Sequence, residues 1–258
     1  MAGGQRDVLN FNFWLLKLFI LILVIRNVRY KDLGLIRYSE SWDYQKKLLA
    51  EIIEFKRLNQ QLPVKKQVNL SNFLLLCEHP HVYTIGKSGK VNNLLVNREF
   101  LEQKGAEFYK IDRGGDITYH GPGQIVGYPI FDLEVFGIGV KQYVRNLEEV
   151  IILTLKDYLL KGERLLGATG VWLDVDKPRK TRKICAIGIK VSRSVTMHGF
   201  AFNVNTNLDY YNFINPCGFT DKGVTSLQKE IGSEMNMKEI NKSLLQSFEK
   251  VFACEIGG

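Results

Sequence analysis

Residues 107–133 read Glu-Phe-Tyr-Lys-Ile-Asp-Arg-Gly-Gly-Asp-Ile-Thr-Tyr-His-Gly-Pro-Gly-Gln-Ile-Val-Gly-Tyr-Pro-Ile-Phe-Asp-Leu. Two apolar-rich strand patterns flank Arg113-Gly114-Gly115-Asp116, and the tight turn Gly121-Pro122-Gly123 follows Thr118-Tyr119-His120. A glycine pair allows the backbone to approach a ligand that a Cβ atom would block, and a Gly-Pro-Gly turn fixes where a strand ends. The stretch therefore indicates a cradle for a ligand. An ordinary hairpin, in which the polar residues only shape the turns, is the alternative interpretation.

The composition is that of a folded chain with a substantial core. The chain has 258 residues, 45% of them hydrophobic, which fits one domain and does not require two. A charged fraction of 24% excludes a disordered chain. The net charge of +8 favours encounter with acidic partners, among which nucleic acid, anionic membrane and acidic proteins all qualify. Charge alone does not choose between them.

Helical and strand patterns alternate irregularly along the rest of the chain. Apolar spacing predicts helices over residues 41–57 (capped by Ser41), 140–160 (ended by Gly162) and 238–252, and strands over residues 72–77, 170–174, 184–191 and 197–204. The order does not follow a strict βαβ alternation. The pattern therefore predicts a single α+β domain.

The four cysteines are Cys77, Cys185, Cys217 and Cys254, without a Cys-x-x-Cys pair, so reduced thiols in a cytoplasmic protein are expected. Cys217 is the candidate nucleophile because Asn-Pro-Cys-Gly places a thiol on a constrained turn. A thiol with a pKa near 8.5 is only slightly ionised at neutral pH and needs a nearby cation. The other three thiols are predicted to be packed in the core, with Cys254 in the C-terminal helix.

Two further polar patterns each allow two interpretations. His79 and His81 would share one face of a strand, but no third ligand lies near them, so the prediction is site lining or loop structure and no metal. The basic residues between Lys177 and Lys183 form either a solvated hairpin tip or a docking surface for an acidic carrier protein. A lysine in such a loop is usually only solvated, so spacing alone does not pair Lys183 with Cys217.

Three motifs together resemble the octanoyltransferases of lipoate synthesis. They are Arg-Gly-Gly-Asp-x-Thr-Tyr-His-Gly-Pro-Gly-Gln from Arg113, Lys-Ile-x-x-x-Gly from Lys183, and Asn-Pro-Cys-Gly around Cys217, in the order typical of that family. The resemblance implies that Cys217 and Lys183 form a catalytic dyad. It also implies transfer of an octanoyl group from octanoyl-acyl carrier protein to a lysine of lipoyl domains in 2-oxoacid dehydrogenase complexes and the glycine cleavage H protein.

The same resemblance implies a fold and a substrate site. The fold is that of biotin and lipoate protein ligase catalytic domains, with a larger mixed sheet flanked by helices and a smaller accessory sheet. The implied substrate-binding residues are Arg113, Gly114, Gly115, Asp116, Ile117, Thr118, Tyr119, His120, Ala186, Ile187, Gly188, Gly199, Phe200 and Ala201. His120 and His198 are expected to line the site, with a structural hydrogen-bonding role as the alternative. No cofactor is expected, because a thioester is already activated.

Two alternative functions remain at this stage. An ATP-dependent lipoate ligase would use Lys183 to hold an acyl-adenylate, although the chain lacks a convincing phosphate loop. A non-catalytic, membrane-tethered binding module would use the apolar stretch Phe11–Ile25. That stretch is interpreted as a membrane anchor, a signal-like segment or an extension upstream of the true start. An extension upstream of the true start is expected, because the resemblance begins near Val28. The predicted division of the chain is therefore an N-terminal extension at residues 1–27 and a catalytic domain at residues 28–258. Neither membrane association nor nucleic-acid binding is expected.

Overall fold

The computed structural model describes residues 26–63, 66–68, 71–215 and 222–257. Within those ranges the chain forms twelve strands and six α-helices. The strands are β1 (Arg26–Leu35), β2 (Asn72–Glu78), β3 (Val82–Ile85), β4 (Glu107–Lys110), β5 (Ile117–His120), β6 (Gln124–Ile130), β7 (Glu163–Leu165), β8 (Ala168–Leu173), β9 (Arg182–Ser192), β10 (Val195–Asn203), β11 (Gly223–Val224) and β12 (Cys254–Gly257). The helices are α1 (Tyr38–Asn59), α2 (Arg98–Gln103), α3 (Leu133–Phe136), α4 (Val140–Lys156), α5 (Leu227–Ile231) and α6 (Met237–Phe252).

The strands form two sheets of unequal size. In the described ranges, nine strands build the larger sheet in the order β12-β1-β2-β6-β10-β9-β8-β7, with β11 beside β9. Strand β1 runs parallel to β12 and β2, whereas β2, β6, β10 and β9 pair antiparallel in succession. Strands β4, β3 and β5 form the smaller sheet. The predicted α+β fold with a larger mixed sheet and a smaller accessory sheet is confirmed.

Helices cover both faces of the larger sheet because each carries an apolar stripe. In α6, Ile240, Leu244, Phe248 and Phe252 recur every four residues and are all buried. They pack with α4 in the main core, which also contains residues of β6, β8, β9 and β10. Helix α1 contributes Leu48, Leu49 and Ile52 to a second core on the other side.

Some predicted boundaries and placements are wrong. Helix α1 begins at Tyr38 and not at Ser41, whose hydroxyl donates to the Tyr38 carbonyl oxygen at 2.9 Å from inside the helix. Helix α4 ends at Lys156, four residues before the predicted end, and Leu159 follows with a φ of 58°. Cys254 is buried as predicted, but it begins β12 and is not part of the terminal helix.

The stretch around Gly121-Pro122-Gly123 is not a hairpin. Strand β5 pairs with β3 in the smaller sheet, whereas β6 pairs with β2 and β10 in the larger sheet. The turn between them, with Gly123 at a φ of 77°, therefore carries the chain from one sheet to the other. The hairpin interpretation is wrong, and the Arg113–His120 segment lies where the two sheets meet.

Across the ranges described above, no helix combines the length and the apolar character needed to cross a bilayer.

Candidate active site

A cavity of about 740 Å³ is lined by residues of both sheets. Most of the residues implied by the resemblance contribute to its wall. They are Arg113, Gly115, Asp116, Ile117, Thr118, His120, Ala186, Ile187, Gly188, Gly199, Phe200 and Ala201, and Lys183 lines the same cavity. Segments far apart in the sequence are thus brought together around one space.

Gly114 and Tyr119 are not among the lining residues. The Gly114 amide donates to the carbonyl oxygen of Ile189 at 2.8 Å and ties the loop to β9. The fully buried Tyr119 stacks on Tyr210, with 4.9 Å between ring centroids, and its hydroxyl bonds to His81 Nδ1 at 2.8 Å. The Tyr119 side chain therefore helps to build the core of the smaller sheet.

The Lys183 ammonium lies at the wall of the cavity against an aromatic ring. Its Nζ is 4.5 Å from the centroid of the Trp172 ring on the neighbouring strand β8, a favourable cation–π geometry. The Trp172 indole N–H donates to the carbonyl oxygen of Ala168 at 3.0 Å, which fixes the ring. The cation is therefore presented from rigid, paired strands.

Cys217 belongs to segment 216–221, which lies outside the described residues, as does most of the predicted turn. The flanking residues Asn215 and Lys222 both line the cavity. On the entry side, the Asn215 amide donates to the Asn93 carbonyl oxygen at 2.8 Å. On the exit side, Val224 of β11 pairs in parallel with Lys183 of β9. Both flanks of the segment are therefore fixed at the cavity that contains Lys183.

A group of polar contacts holds the part of the chain that follows segment 216–221. Arg182 donates to both carboxylate oxygens of Glu230 at 2.7 and 2.5 Å, and the Thr225 hydroxyl donates to the same carboxylate at 2.5 Å. The Arg182 hydrogen bonds lower the pKa of Glu230. Asp174 bonds to Arg182 and also pairs with Lys177 at 2.7 Å. Within the predicted basic loop, Lys177 and Arg182 are thus paired with acidic residues of this chain.

His120 is a buried, neutral member of the cavity wall. Its Nδ1 donates to Gln124 Oε1 at 2.8 Å, and Gln124 Nε2 in turn donates to Asn203 Oδ1 at 2.8 Å. Burial lowers the pKa of His120 to about 3. The ring also stacks on Tyr38, with 6.0 Å between centroids. His120 therefore combines the two roles left open by the sequence, site lining and structural hydrogen bonding.

Arg113 braces the junction between the sheets. Its guanidinium donates to the Thr84 carbonyl oxygen at 2.7 Å, to the Thr84 hydroxyl at 3.0 Å and to the Gly114 carbonyl oxygen at 3.0 Å. Gly115, with a φ of 87°, gives the following backbone a left-handed conformation that favours glycine. Arg113 and the glycine pair thus shape one wall of the cavity.

His79 and His81 do not share a face of a strand, because both lie in the turn between β2 and β3. His79 bonds to the Ile36 carbonyl oxygen and to the Tyr128 hydroxyl, both at 2.7 Å. His81 instead stacks on Tyr210, with 4.1 Å between ring centroids. The two imidazoles therefore serve the packing of different parts of the fold.

The three described thiols are all buried: Cys77, Cys185 and Cys254. Burial raises the pKa of Cys185, and the nearby Lys183 charge only partly offsets it. Cys185 also belongs to the main hydrophobic core. The prediction of a packed Cys185 is confirmed.

Several cavity residues had no signal in the sequence. Tyr38 at the start of α1, Trp172 on β8, Asn203 on β10 and Tyr211 in a 3-10 helix all line the cavity. None of the four belongs to a motif that points to a ligand. Their convergence depends on sheet pairing between distant segments, which local spacing does not report.

The fold and cavity define a catalytic domain of the lipoyl ligase type. Residues 37–249 match the family model of the lipoyl protein ligase A/B catalytic domain. The chain is 55% identical to the octanoyltransferase of Parabacteroides distasonis over 230 residues, which cover 89% of this chain and 100% of that protein. It is 50% identical to the octanoyltransferase of Cytophaga hutchinsonii over 231 residues, covering 90% and 95% of the two chains. The chain belongs to the lipoyl protein ligase A/B family and, within it, to the octanoyltransferases, which are acyltransferases.

Solved structures support the fold. A bi-partite lipoate protein ligase from Thermoplasma acidophilum, studied with its E2 lipoyl domain, aligns with a TM-score of 0.62 and 14% identity, covering 90% of this chain and 85% of that chain. A lipoate-protein ligase A bound with ATP aligns with the same TM-score and identity, covering 90% and 87%. The predicted similarity to lipoate ligase catalytic domains is confirmed at the level of the fold.

Proposed function

We propose that this octanoyltransferase moves an octanoyl group from octanoyl-acyl carrier protein to a lysine of a lipoyl domain, through a thioester on Cys217. Acceptors would be the lipoyl domains of 2-oxoacid dehydrogenase complexes and the glycine cleavage H protein, in the cytoplasm. The observation that carries the proposal is the placement of Lys183. Its side chain lines a cavity that Asn215 and Lys222, the described flanks of the Cys217 segment, also line.

In the first half-reaction, the Cys217 thiolate attacks the carbonyl carbon of the donor thioester. A carbon–sulfur bond to Cys217 forms, and the bond to the carrier sulfur breaks. The Lys183 ammonium gives its proton to the departing carrier thiolate. The products are the octanoyl-enzyme, the carrier thiol and a neutral Lys183 amine.

In the second half-reaction, the neutral amine of the acceptor lysine attacks the thioester carbonyl. The carbon–nitrogen bond forms, and Cys217 leaves as a thiolate. The Lys183 amine takes the proton that the attacking nitrogen must lose, which restores the starting state. The acceptor ammonium, with a pKa near 10.4, first loses one proton to solvent, and Lys183 takes the second. No nucleotide is needed, because the thioester supplies the activation.

The cavity wall includes apolar residues that an acyl chain would contact. Apolar Ile117, Ile187 and Phe200 contribute to its walls, and burial of a methylene contributes about 0.8 kcal/mol. Burial lowers the pKa of His120 to about 3, so this member of the wall is uncharged at neutral pH. Arg113, Gly115, Asp116, Gly199 and Ala201, which line the same cavity, would enclose the same chain.

Intact-protein mass spectrometry after exposure to octanoyl-acyl carrier protein tests the proposal. We expect an octanoyl adduct that hydroxylamine removes and that Cys217→Ser abolishes. Cys185→Ala is the matched control, since Cys185 is a buried thiol close to Lys183, and it should keep the adduct. Normal transfer by Cys217→Ser would refute the thioester route. A requirement for ATP and free octanoate would instead favour the ligase alternative.

A further inference from the structure

The side chain of Asn203 on β10 is hydrogen bonded to separate parts of the chain. Its Nδ2 donates to the carbonyl oxygen of Thr225 at 3.0 Å. Its Oδ1 accepts from the hydroxyl of Tyr211 at 3.2 Å and from Gln124 Nε2 at 2.8 Å. Asn203 is 2% exposed, and it lines the cavity. A buried amide with three partners is held in one place and one orientation.

The partners determine which way the amide faces. The Thr225 carbonyl oxygen only accepts, so the nitrogen of Asn203 must face it. The Tyr211 hydroxyl donates to the amide oxygen and accepts from Gln124 Nε2 at 3.2 Å. Burial raises the pKa of Tyr211 to about 12, so the hydroxyl keeps the proton that it donates at neutral pH. Asn203 therefore supplies a donor to one neighbour and an acceptor to the other, which an apolar residue of similar size cannot do.

Two of these partners lie on opposite sides of segment 216–221. Tyr211 belongs to the 3-10 helix that precedes the segment, and Thr225 follows the segment directly after β11. The Thr225 amide also donates to the Lys183 carbonyl oxygen at 2.9 Å. The peptide groups of Thr225 are thus bonded to Lys183 through the N–H and to Asn203 through the carbonyl. One side chain therefore ties the chain before the segment to the chain after it, next to the strand that carries Lys183.

Resting on the proposed function, we propose that Asn203 is a positioning residue that holds the chain on both sides of Cys217 in a fixed place relative to Lys183. Acyl transfer requires a constant geometry between the reacting groups, since a misplacement of about 1 Å can cost about 10²-fold in rate. Asn203 acts through Tyr211 and Thr225 and not on the reacting atoms. A leucine at this position would remove both hydrogen bonds and leave the two flanks without their common tie.

The test measures the pH at which Cys217 is half ionised, from the rate of its alkylation by iodoacetamide, followed by intact mass. The described thiols are all buried, which limits their reaction. Lys183→Met gives the midpoint without the ammonium. Because a nearby opposite charge shifts a pKa by about 1–3 units, the midpoint of the unaltered enzyme should lie at least about one unit lower. Asn203→Leu should lose about half of that difference or more, and octanoyl adduct formation should slow by about tenfold.

Tyr211→Phe removes only the hydrogen bond on the side that precedes the segment. It should raise the midpoint by less than Asn203→Leu does, and it should add little in the double variant, where the amide is already absent. Tyr143→Phe is the matched control. The Tyr143 hydroxyl donates to the Pro129 carbonyl oxygen at 3.4 Å, and the side chain is fully buried and does not line the cavity. Its loss should lower the free energy of unfolding without moving the midpoint.

Midpoints in Asn203→Leu and Tyr211→Phe that equal the midpoint of the unaltered enzyme would overturn the inference, because a purely structural role lowers stability alone. An equal shift in Tyr143→Phe would also overturn it. If Asn203→Leu does not fold, Tyr211→Phe decides. Equal midpoints in the unaltered enzyme and Lys183→Met would refute the pairing of Lys183 with Cys217, and the inference with it. An unaltered enzyme that forms no octanoyl adduct would refute the proposed function, while the midpoints would still test Asn203.

Discussion

The backbone amide of Thr225 donates a hydrogen bond to the carbonyl oxygen of Lys183 at 2.9 Å. This bond continues the parallel pairing of β11 with β9, in which Val224 lies opposite Lys183. The chain that leaves segment 216–221 is therefore bonded directly to the residue that carries the proposed acid and base. Any change in this contact should alter how the two halves of the proposed dyad face each other.

Glu230→Gln tests that coupling. The carboxylate of Glu230 accepts hydrogen bonds from Arg182 at both oxygens and from the Thr225 hydroxyl at one of them. The Glu230 side chain is only 12% exposed. Loss of its charge should lower the free energy of unfolding by about 1–3 kcal/mol. Because small misplacements of reacting groups are costly, the acylation rate should fall by about tenfold or more. Denaturant unfolding and the rate of adduct formation measure the two effects.

Glu149→Gln is the matched control for that variant. Glu149 pairs with Arg164 at 2.7 Å, but its side chain is 38% exposed and it does not line the cavity. Exposed pairs contribute about 0–1 kcal/mol, so stability and acylation should change little. Equal loss of acylation in both variants would argue against a special role for Glu230.

Lys183→Arg separates the two half-reactions. A guanidinium keeps a positive charge that can sit over Trp172 and favour the thiolate, but it does not give up its proton at neutral pH. The first half-reaction should therefore proceed at a reduced rate, whereas the second lacks its base. We expect octanoyl-enzyme to accumulate while transfer to a lipoyl domain falls by about 10²-fold or more.

Lys183→Met completes this comparison. It retains a side chain of similar length without charge, so both adduct formation and transfer should be lost. The two variants are compared by intact mass in the presence and absence of acceptor domain. Equal rates of transfer in Lys183→Arg and the unaltered enzyme would show that another group acts as the base.

The sequence predicted the elements whose patterns are local. The helical stripe of α6 and the strands β9 and β10 follow from apolar periodicity, and the structure places them at Met237–Phe252, Arg182–Ser192 and Val195–Asn203. The start of α1 was missed because Ser41, a common capping residue, bonds instead to the carbonyl oxygen of Tyr38 within the helix. A serine at a helix start and one in its first turn look alike in sequence.

Only part of the candidate site could be predicted from sequence motifs, because the rest depends on the topology of the fold. Residues in the stretch from Arg113 to His120 were assigned through a continuous motif, and most of them line the cavity. Tyr38 lies about 80 residues earlier and stacks on His120 only because α1 packs beside the sheet junction. The change of sheet at Gly121-Pro122-Gly123 was also invisible, since a turn looks the same whether or not its two strands pair.

Gly199→Ala should destabilise the fold through backbone contact. A methyl group there would overlap the carbonyl oxygen of Gly127 on the neighbouring strand and lie 2.8 Å from Pro129 Cδ. Neither group can rotate away, so the free energy of unfolding should fall by about 1–3 kcal/mol or more. Gly139→Ala is the control, since its φ of −88° suits any residue and its Cβ would meet no atom within 4 Å. Denaturant midpoints with equal slopes would quantify both changes.

Three buried histidines should make stability depend on pH. Burial lowers the pKa of His79 and His198 to about 4 and that of His120 to about 3. In the unfolded chain each should titrate near about 6.5, so between about pH 4 and 6.5 the unfolded state binds more protons. The free energy of unfolding should therefore fall as the pH is lowered through that window, by up to about 1.4 kcal/mol per pH unit for each histidine.

His79→Gln tests this dependence with the packing largely retained. A glutamine can still donate towards the Ile36 carbonyl oxygen and accept from the Tyr128 hydroxyl, two of the hydrogen bonds that His79 makes. Because it does not titrate, the slope of unfolding free energy against pH should fall by about one proton between pH 5 and 6. Urea unfolding at several pH values measures the slope directly. An unchanged slope would mean that His79 is protonated in the folded protein at these pH values, and that its hydrogen bonds outweigh the cost of burying the charge.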